Sequence, residues 1–568
     1  MYLKDTVSKF KLRDTVNKVL ENPVSLSVNV KLQTQTQRSS SLTRNLQESR
    51  PLEGPVQVME ENPLKREQVN FEAAMNEFIS ENNSFLTSSP VNTTSRQSSS
   101  LNQVSSDDDA NNSNDEVTPT TKSLQVSSPR MTRSLIFQRT RQLVKSLSDS
   151  CSSSNNMRKV VCLQELSKHI VMFPEAAAPS VKEGAIPLML RMRESSQDRV
   201  VQAQCRQALT LLGYFDPPKA RGIRILSIDG GGIRGVVILE VLKRLEMLTG
   251  QPVYKMFDLI CGVSTGAILA MLLGPLKKDL NSCDDMYRMI SKKLFVSDFL
   301  RGTSRLLLTH AYYDSQVWEK ILKEVYSEDK TLIETSLQPD VPKVMAISAS
   351  LTSPRLKPFV FRNFNLHPLD SNGVYEGSCR HKVWQSVRAS TSAPGYFEDF
   401  VLEDHVHSDG GILINNPSAI AIHEAQCIWP GERIQCIVSI GTGKYSPPTL
   451  KVFDEDSKDT PSKATPASLR AKITSLIDSA TDTEITHRLL QDLLPSGTYF
   501  RMNPTLSEWM GLDENRDEKL DQLRMDAQMY VRKNELKMIH AANAISQERS
   551  LTQISKDYLD LKYKLLFR

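Results

Sequence analysis

The apolar positions of this 568-residue chain change period twice. From Met157 to Tyr214 they recur at helical spacing. Gly184 to Met192 (GAIPLMLRM) starts at a glycine break with Pro187 in its first turn, and Val200 to Tyr214 (VVQAQCRQALTLLGY) follows a short polar link. Two amphipathic helices are predicted there. Just upstream, Ile136, Leu143, Val144 and Leu147 share one helical face in a basic stretch running from Arg130 to Leu147. From Arg221 the pattern shifts to short continuous apolar runs. Ile223 to Ile228 (IRILSI) and Phe257 to Cys261 (FDLIC) read as buried strands. Each leads through a glycine turn into an apolar helix, Val236 to Leu248 and Ala267 to Leu273. After Gly443 comes a polar, Pro-containing stretch, Phe453 to Ser468. Leu469 to Leu494 and Asp517 to Ser546 then read as helices, the second with Leu520, Leu523, Ala527, Tyr530 and Val531 in register.

The first 128 residues show neither period. Ser84 to Ser128 contains 13 Ser and 6 Thr, too little apolar surface to offset the entropy of ordering, so this head is expected to be mostly disordered. The aromatic residues agree: only seven of 36 lie in the first 213 positions, which places the main core downstream. Length alone allows about four domains; the asymmetry argues for one large domain, one small helical one and the head. Asp107, Asp108 and Asp109 do not make a calcium loop, because Asn112 and Thr118 stand where the glycine and the bidentate Glu belong.

Charge and cysteine content narrow the function. A net charge of +4 from 70 basic and 66 acidic residues argues against a dedicated nucleic-acid binder. Eight scattered cysteines without a CxxC pair suggest neither a disulfide framework nor zinc, and reduced thiols in an intracellular compartment are the simplest reading. The first twenty residues have no apolar run typical of a signal peptide. Leu259 to Leu276 is uncharged over 18 residues, but Gly262, Gly266, Gly274 and Pro275 punctuate it. It reads as strand, turn and helix, and no transmembrane segment is expected.

The chemistry lies at the two glycine turns. The first strand runs into Asp229-Gly230-Gly231-Gly232-Ile233-Arg234-Gly235. A strand, a glycine loop and a helix start place backbone N–H groups at a positive helix terminus, where they can hold an anion. Alone, Gly230, Gly232 and Gly235 would fit a nucleotide loop equally well. The second turn decides: Gly262-Val263-Ser264-Thr265-Gly266 is a GxSxG sequence between strand and helix, the setting of a nucleophile elbow. The base expected for Ser264 is Asp409, which is followed by Gly410 and Gly411 and then by Asn415-Asn416-Pro417.

Together these segments resemble the patatin-like phospholipase family over residues 222 to about 445. The resemblance rests on DGGGIRG (Asp229 to Gly235), GVSTG (Gly262 to Gly266), VRASTSAPGYF (Val387 to Phe397), DGGILINNP (Asp409 to Pro417) and SIGTG (Ser439 to Gly443). Helices ahead of the domain make the calcium-independent phospholipase A2 gamma type the nearest resemblance within it. The preceding helix pair resembles an armadillo-type repeat. The family implies a Ser264–Asp409 dyad with no histidine. It also implies an oxyanion hole from the N–H groups of Gly230, Gly231 and Gly232 with that of Thr265. Gly235, Gly262, Gly266, Gly410 and Gly411 would shape the turns. Asn415 and Asn416 would hold the Asp409 loop, and the small residues Ala389, Ser390, Ser392 and Ala393 would allow close packing at the nucleophile. Arg234 would either meet a substrate phosphate or tie its own loop.

The expected architecture is a three-layer α/β/α domain at 222–445. Ahead of it lie the disordered head at 1–128 and an all-α, armadillo-like module at 129–216. A helical extension at 446–568 is expected to pack on the catalytic domain. The expected substrate is a membrane glycerophospholipid cleaved at a fatty acyl ester, lysophospholipids included, with no metal or cofactor. The protein would sit peripherally on an intracellular membrane, the endoplasmic reticulum ahead of the mitochondrial or peroxisomal membrane. The basic 130–147 segment is either a membrane-surface helix or the first helix of the helical module. Homo-oligomer formation is left open. The rivals are a Ser-His-Asp hydrolase using His423, His487 or His540, and a non-catalytic helical scaffold; His405 and His407 read as surface or supporting residues.

Overall fold

The computed structural model describes residues 132–295, 311–370, 373–445 and 483–567. The disorder expected of residues 1–128 and the loop expected at Phe453 to Ser468 lie outside them.

The helical unit comprises Arg133–Cys151, Asn156–Met172, Ala177–Lys182, Ala185–Ser195 and Arg199–Leu211. Side chains of Thr132, Asn155 and Asp198 cap three of these helices by accepting from backbone N–H groups in their first turns. Ile136, Leu143, Val144 and Leu147 are buried with Leu163, Leu166, Ile170 and Met189 in one cluster. Packing thus decides the 130–147 segment. Each such buried side chain contributes about 1.5–3 kcal/mol, so its apolar face belongs to this unit and is not free for a membrane. The unit docks on the next domain. Arg206 donates to the Leu337 carbonyl at 2.8 Å, and Asn365 donates from its backbone and side chain to the carbonyls of Thr210 and Leu211.

The larger domain is built on one sheet. Its strands are β1 (Ile223–Ile228), β2 (Leu259–Val263), β3 (Lys343–Ser350), β4 (Lys357–Arg362), β5 (Glu376–Ser378), β6 (Phe400–Leu402), β7 (His405–Asp409), β8 (Ile434–Ile440) and β9 (Tyr499–Met502). The order is β5-β4-β3-β2-β1-β8-β9, with β1, β2, β3, β8 and β9 parallel. β1 and β2 are buried along their whole length, as central parallel strands must be when both faces are covered. Helices Val236–Thr249, Thr265–Leu273, Leu280–Leu294 and Ser315–Tyr326 cover one face, and Ser418–Ile428 covers the other. A buried pair, Arg362 to Glu424 at 2.6 and 2.7 Å, ties β4 to that last helix.

One pairing positions the site. β3 is longer than β2: residues Lys343 to Ile347 pair with β2, but Ser348 to Ser350 extend past it. The edge left free is taken by β7, antiparallel, with Ser348 opposite Asp409. β2 ends at Val263 and turns at Ser264, so β7 delivers Asp409 to the place where β2 releases Ser264.

The C-terminal stretch is not helical throughout. Tyr499–Met502 adds a strand beside β8, and Asp517 to Ser546 is two helices, Asp517–Lys533 and Glu535–Ile545, broken at Asn534. A four-residue strand is too short to show a period in sequence, which is why only helices were expected there.

Candidate active site

Ser264 occupies a strained turn. Its φ is 54° and ψ −120°, a region that costs a non-glycine residue about 1–3 kcal/mol. The flanking glycines make the turn sterically feasible. A Cβ on Gly262 would stand 2.0 Å from the Gly266 carbonyl oxygen, and one on Gly266 2.3 Å from that of Ile228. The turn is also tied from outside: the Ser264 N–H donates to Ser390 Oγ at 2.9 Å, and Ser390 Oγ donates to the Ile347 carbonyl at 2.6 Å. Ser264 then caps helix Thr265–Leu273, so its hydroxyl stands at the positive end of that helix.

Ser264 Oγ donates to Asp409 Oδ2 at 2.6 Å. The other carboxylate oxygen, Oδ1, accepts the Gly411 N–H at 2.7 Å. The Asp409 backbone N–H donates to the Ser392 carbonyl at 2.9 Å, and Arg388, buried, donates to Ser392 Oγ at 2.7 Å. Burial pushes the Asp409 carboxyl up to about 6, while its bonds from Ser264 and Gly411 pull it down. It is therefore mostly ionised at neutral pH yet far more basic than an exposed aspartate. The segment Val387 to Phe397 does more than pack closely: Ser390 and Ser392 bond the Ser264 turn and the end of β7.

The glycine loop faces this pair. Gly230, expected to contribute to the oxyanion hole, does not offer its N–H: that group donates to Asn415 Oδ1 at 3.0 Å. The side chain of Asn415 therefore braces the glycine loop, 185 residues away, as well as belonging to the Asp409 loop. Among the described residues the N–H groups of Gly231 and Gly232 have no protein acceptor, and both residues line the cleft with Ser264. Thr265 presents the first N–H of its helix, while its hydroxyl bonds Tyr287. Gly235 sits under the same Tyr287 ring, and Gly410 opens the short turn after Asp409. Asn416 is turned inward, accepting from Ser418 Oγ at 2.7 Å. Arg234 donates through Nε to the Gly231 carbonyl at 3.3 Å, within its own loop, and also lines the cleft.

The loop also rests on Thr442, within the SIGTG segment, and on residues further downstream that carried no signal in sequence. Thr442 Oγ1 donates to the Gly230 carbonyl at 2.9 Å, and the Ile233 N–H donates to the Leu512 carbonyl at 2.9 Å. Gly232 has φ +57°, and a Cβ there would lie 2.2 Å from that same Leu512 oxygen. Asp229, which begins the loop, is buried and paired with Arg501 of β9 at 2.6 Å; Arg501 also donates to Ser439 Oγ at 2.9 Å.

Ser264 and Asp409 open into a cleft. Ile268, Ile290, Leu294, Trp318, Tyr396 and Phe397 supply its apolar walls. Among the described residues, no histidine lines it. His407 bonds Ser348 Oγ at 2.9 Å, His423 lies 3.6 Å from Cys427 Sγ, and the rings of His487 and Tyr499 pack 5.7 Å apart.

Residues 226–422 match the family model of the patatin-like phospholipases. These residues form a patatin-like phospholipase domain. The chain is 45% identical over 428 residues to the calcium-independent phospholipase A2-gamma of Mus musculus, covering 75% of this chain and 53% of that protein. For the Homo sapiens protein of the same name the identity is 45% over 430 residues, covering 75% and 53%. Phospholipase A I of Arabidopsis thaliana is 29% identical over 452 residues, covering 68% of this chain and 33% of its own length. The chain thus spans about half the length of the gamma-type proteins it matches. The patatin-like match ends before Thr442, Arg501 and Leu512, so the glycine loop of this domain is held partly by residues outside it.

Proposed function

We propose that this chain is a calcium-independent phospholipase A-type lipid acyl hydrolase, with Ser264 as nucleophile and Asp409 as base. The observation that carries the reading is the 2.6 Å bond from Ser264 Oγ to a buried Asp409 at the end of an apolar cleft, beside two amides with no acceptor among the described residues. Ser264 Oγ attacks the acyl carbonyl as its proton passes to Asp409. The N–H groups of Gly231, Gly232 and Thr265 meet the oxygen that becomes negative. Asp409 returns the proton to the departing glycerol oxygen, leaving an acyl-serine. It then takes a proton from the water that attacks the acyl carbon and passes it to Ser264 Oγ as the fatty acid leaves. The acyl chain lies along Ile268, Ile290, Leu294 and Phe397. Glycerophospholipids are the proposed substrates and lysophospholipids a second class.

The lipid reaches the site from a membrane surface on which the protein sits peripherally. No described helix is long and apolar enough to cross a membrane, and all eight cysteines are free, which fits an intracellular setting. The endoplasmic reticulum is the organelle we favour. We further assign 129–216 as an armadillo-like module: the short Ala177–Lys182 followed by Ala185–Ser195 and Arg199–Leu211 supports one such repeat, with the preceding helix pair as a partial one. Residues 222–445 form the catalytic domain, which the 446–568 extension completes.

The test is product analysis on defined phosphatidylcholine vesicles with a calcium chelator present. Free fatty acid released by the wild type and absent with Ser264→Ala supports the reading. A folded wild type that releases none, and whose Ser264 does not react with a fluorophosphonate, refutes it and favours a scaffold.

A further inference from the structure

A second cavity, of about 480 Å³, lies where the helical unit meets the base of the catalytic domain. It is at the opposite edge of the sheet from the active site. Lys343, on its wall, opens β3 and pairs with Leu259, the first residue of β2, whereas Ser264 follows the last. The two cavities are thus separated by the length of β2, roughly 15 Å at the rise of a strand.

Its charge is unbalanced. Six cations line it: Arg193, Arg206, Lys219, Arg224, Lys255 and Lys343. Four carboxylates accompany them, Asp216, Asp258, Asp340 and Glu548. Three of the cations have ion-pair partners: Arg193 with Asp216 at 2.9 Å, Arg224 with Asp258 at 2.9 Å, and Lys219 with Asp340. Arg206, Lys255 and Lys343 form no ion pair among the described residues. Lys343 is the most enclosed of the three. Its ammonium lies 4.7 Å over the Phe215 ring, and burial pulls its pKa down to about 8, so it is still charged at neutral pH. Arg206 donates one N–H to the Leu337 carbonyl, but its Nε is buried without an acceptor. Enclosed cations without a counter-charge are costly unless an anion is supplied. Asp216 and Asp340 act on Lys343 and Arg206 only while paired with Arg193 and Lys219, and Glu548 pairs with none of the six cations, so the six cations outnumber the four carboxylates and the cavity leaves room for a further anion.

We propose that this cavity binds a phosphorylated anion, held by Lys343 and Arg206 with Lys255 at the rim. Three cations on one cleft suit a group of two or more negative charges, and the guanidinium of Arg206 offers the planar N–H geometry that phosphate accepts. The phosphate is either that of a free metabolite or that of a phosphorylated lipid headgroup. The residues that bring the cavity together come from three parts of the chain: Arg206 from the helical unit, Lys255 and Lys343 from the catalytic domain, and Gln547 and Glu548 from the C-terminal stretch. An anion there would join those parts far from the reacting serine, and it is independent of the reading of Ser264.

The experiment uses the full chain with inorganic pyrophosphate in solution. A second arm measures co-sedimentation with phosphatidylcholine vesicles with or without phosphatidylinositol bisphosphate. Saturable pyrophosphate binding weakened about tenfold or more (~1.4 kcal/mol) by Lys343→Met supports a free-phosphate site. Binding confined to the phosphoinositide vesicles, and weakened likewise, supports a headgroup site. Lys255→Met, an exposed change, keeps the test valid where Lys343→Met does not fold, and should weaken binding severalfold. Fluorophosphonate labelling of Ser264 reports folding in each variant. Absence of binding in both arms, or binding unaffected by these substitutions, overturns the proposal.

Discussion

Two aspartates stand at the same edge of the sheet with opposite assignments. Asp229 follows β1 and Asp409 ends β7; they are 1% and 5% exposed, and burial pushes both carboxyls up to about 6. What separates them is the partner. Asp229 faces a guanidinium that is always charged, at 2.6 Å, and has nothing to exchange a proton with. Asp409 faces a hydroxyl and an amide, two neutral donors, at 2.6 and 2.7 Å. Burial makes a carboxylate basic, but only the partner determines whether that basicity is spent on an ion pair or remains for a reaction. On this comparison Asp229 is an anchor for the glycine loop, and Asp409 keeps the basicity that its proposed role as base for the serine requires.

The largest expected effects test the Asp409 half. Ser264→Ala should abolish vesicle hydrolysis, by about 10⁴-fold or more. Asp409→Asn should cost about 10²–10⁴-fold in kcat, the usual range for a lost general base, while the protein stays folded. Initial rates with matched circular dichroism measure both. Retention of activity in Asp409→Asn together with its loss in His423→Ala would transfer the base role to histidine.

Next comes the anchor half. Arg501→Gln leaves Asp229 buried and unpaired, and should destabilise by about 3–5 kcal/mol, read from denaturant midpoints. Adding Asp229→Asn should recover much of that stability, because the orphaned charge is gone. If Arg501→Gln lowers turnover with no loss of stability, Asp229 is not the structural member of the comparison.

The pH dependence sharpens the contrast. Asp409 has a folded pKa near 6 against an unfolded value of 3.8, so the folded state binds its proton more tightly. Stability from this group is therefore fully present below about pH 4 and is lost as pH rises to about 6. Asp409→Asn should be more stable than wild type at pH 8 by about 2–3 kcal/mol, a gap that narrows as pH falls from about 6 to about 4. Activity should run the other way, since the base must be ionised: kcat/KM falls about tenfold per unit below pH 6. Thermal melts and rate profiles across pH 4–9 measure both, and parallel trends in stability and activity would contradict the assignment.

The sequence revealed these two aspartates unequally. Asp409 was legible because glycines follow it and because a GxSxG turn needs a base. Asp229 was legible only as the start of a glycine loop. Its partner Arg501 sits in a four-residue strand with no motif around it, and no local pattern links positions 272 residues apart. Asn415 shows the same limit: placing it near the Asp409 loop was sequence reasoning, but its bond to the Gly230 N–H exists only because β7 and β1 end at the same edge. That bond also occupies the Gly230 N–H, which was expected to face an oxyanion. In the 130–147 segment periodicity found the apolar face correctly but could not say whether protein or lipid would cover it, since both bury the same side chains.

The smallest expected effect concerns Arg234, the one cation of the glycine loop Asp229 to Gly235. Its Nε bonds the Gly231 carbonyl at 3.3 Å, next to the two amides assigned to the oxyanion. A bond of that kind is worth about 0.5–1.5 kcal/mol, so Arg234→Gln should lower turnover about 2- to 10-fold through looser amide positions. If that is its whole role, phosphatidylcholine and a neutral short-chain ester should lose the same factor. A loss confined to the phospholipid would mean that the guanidinium meets the substrate phosphate. The glycine loop would then read the headgroup as well as receive the oxyanion, and Asp229 would anchor a specificity element.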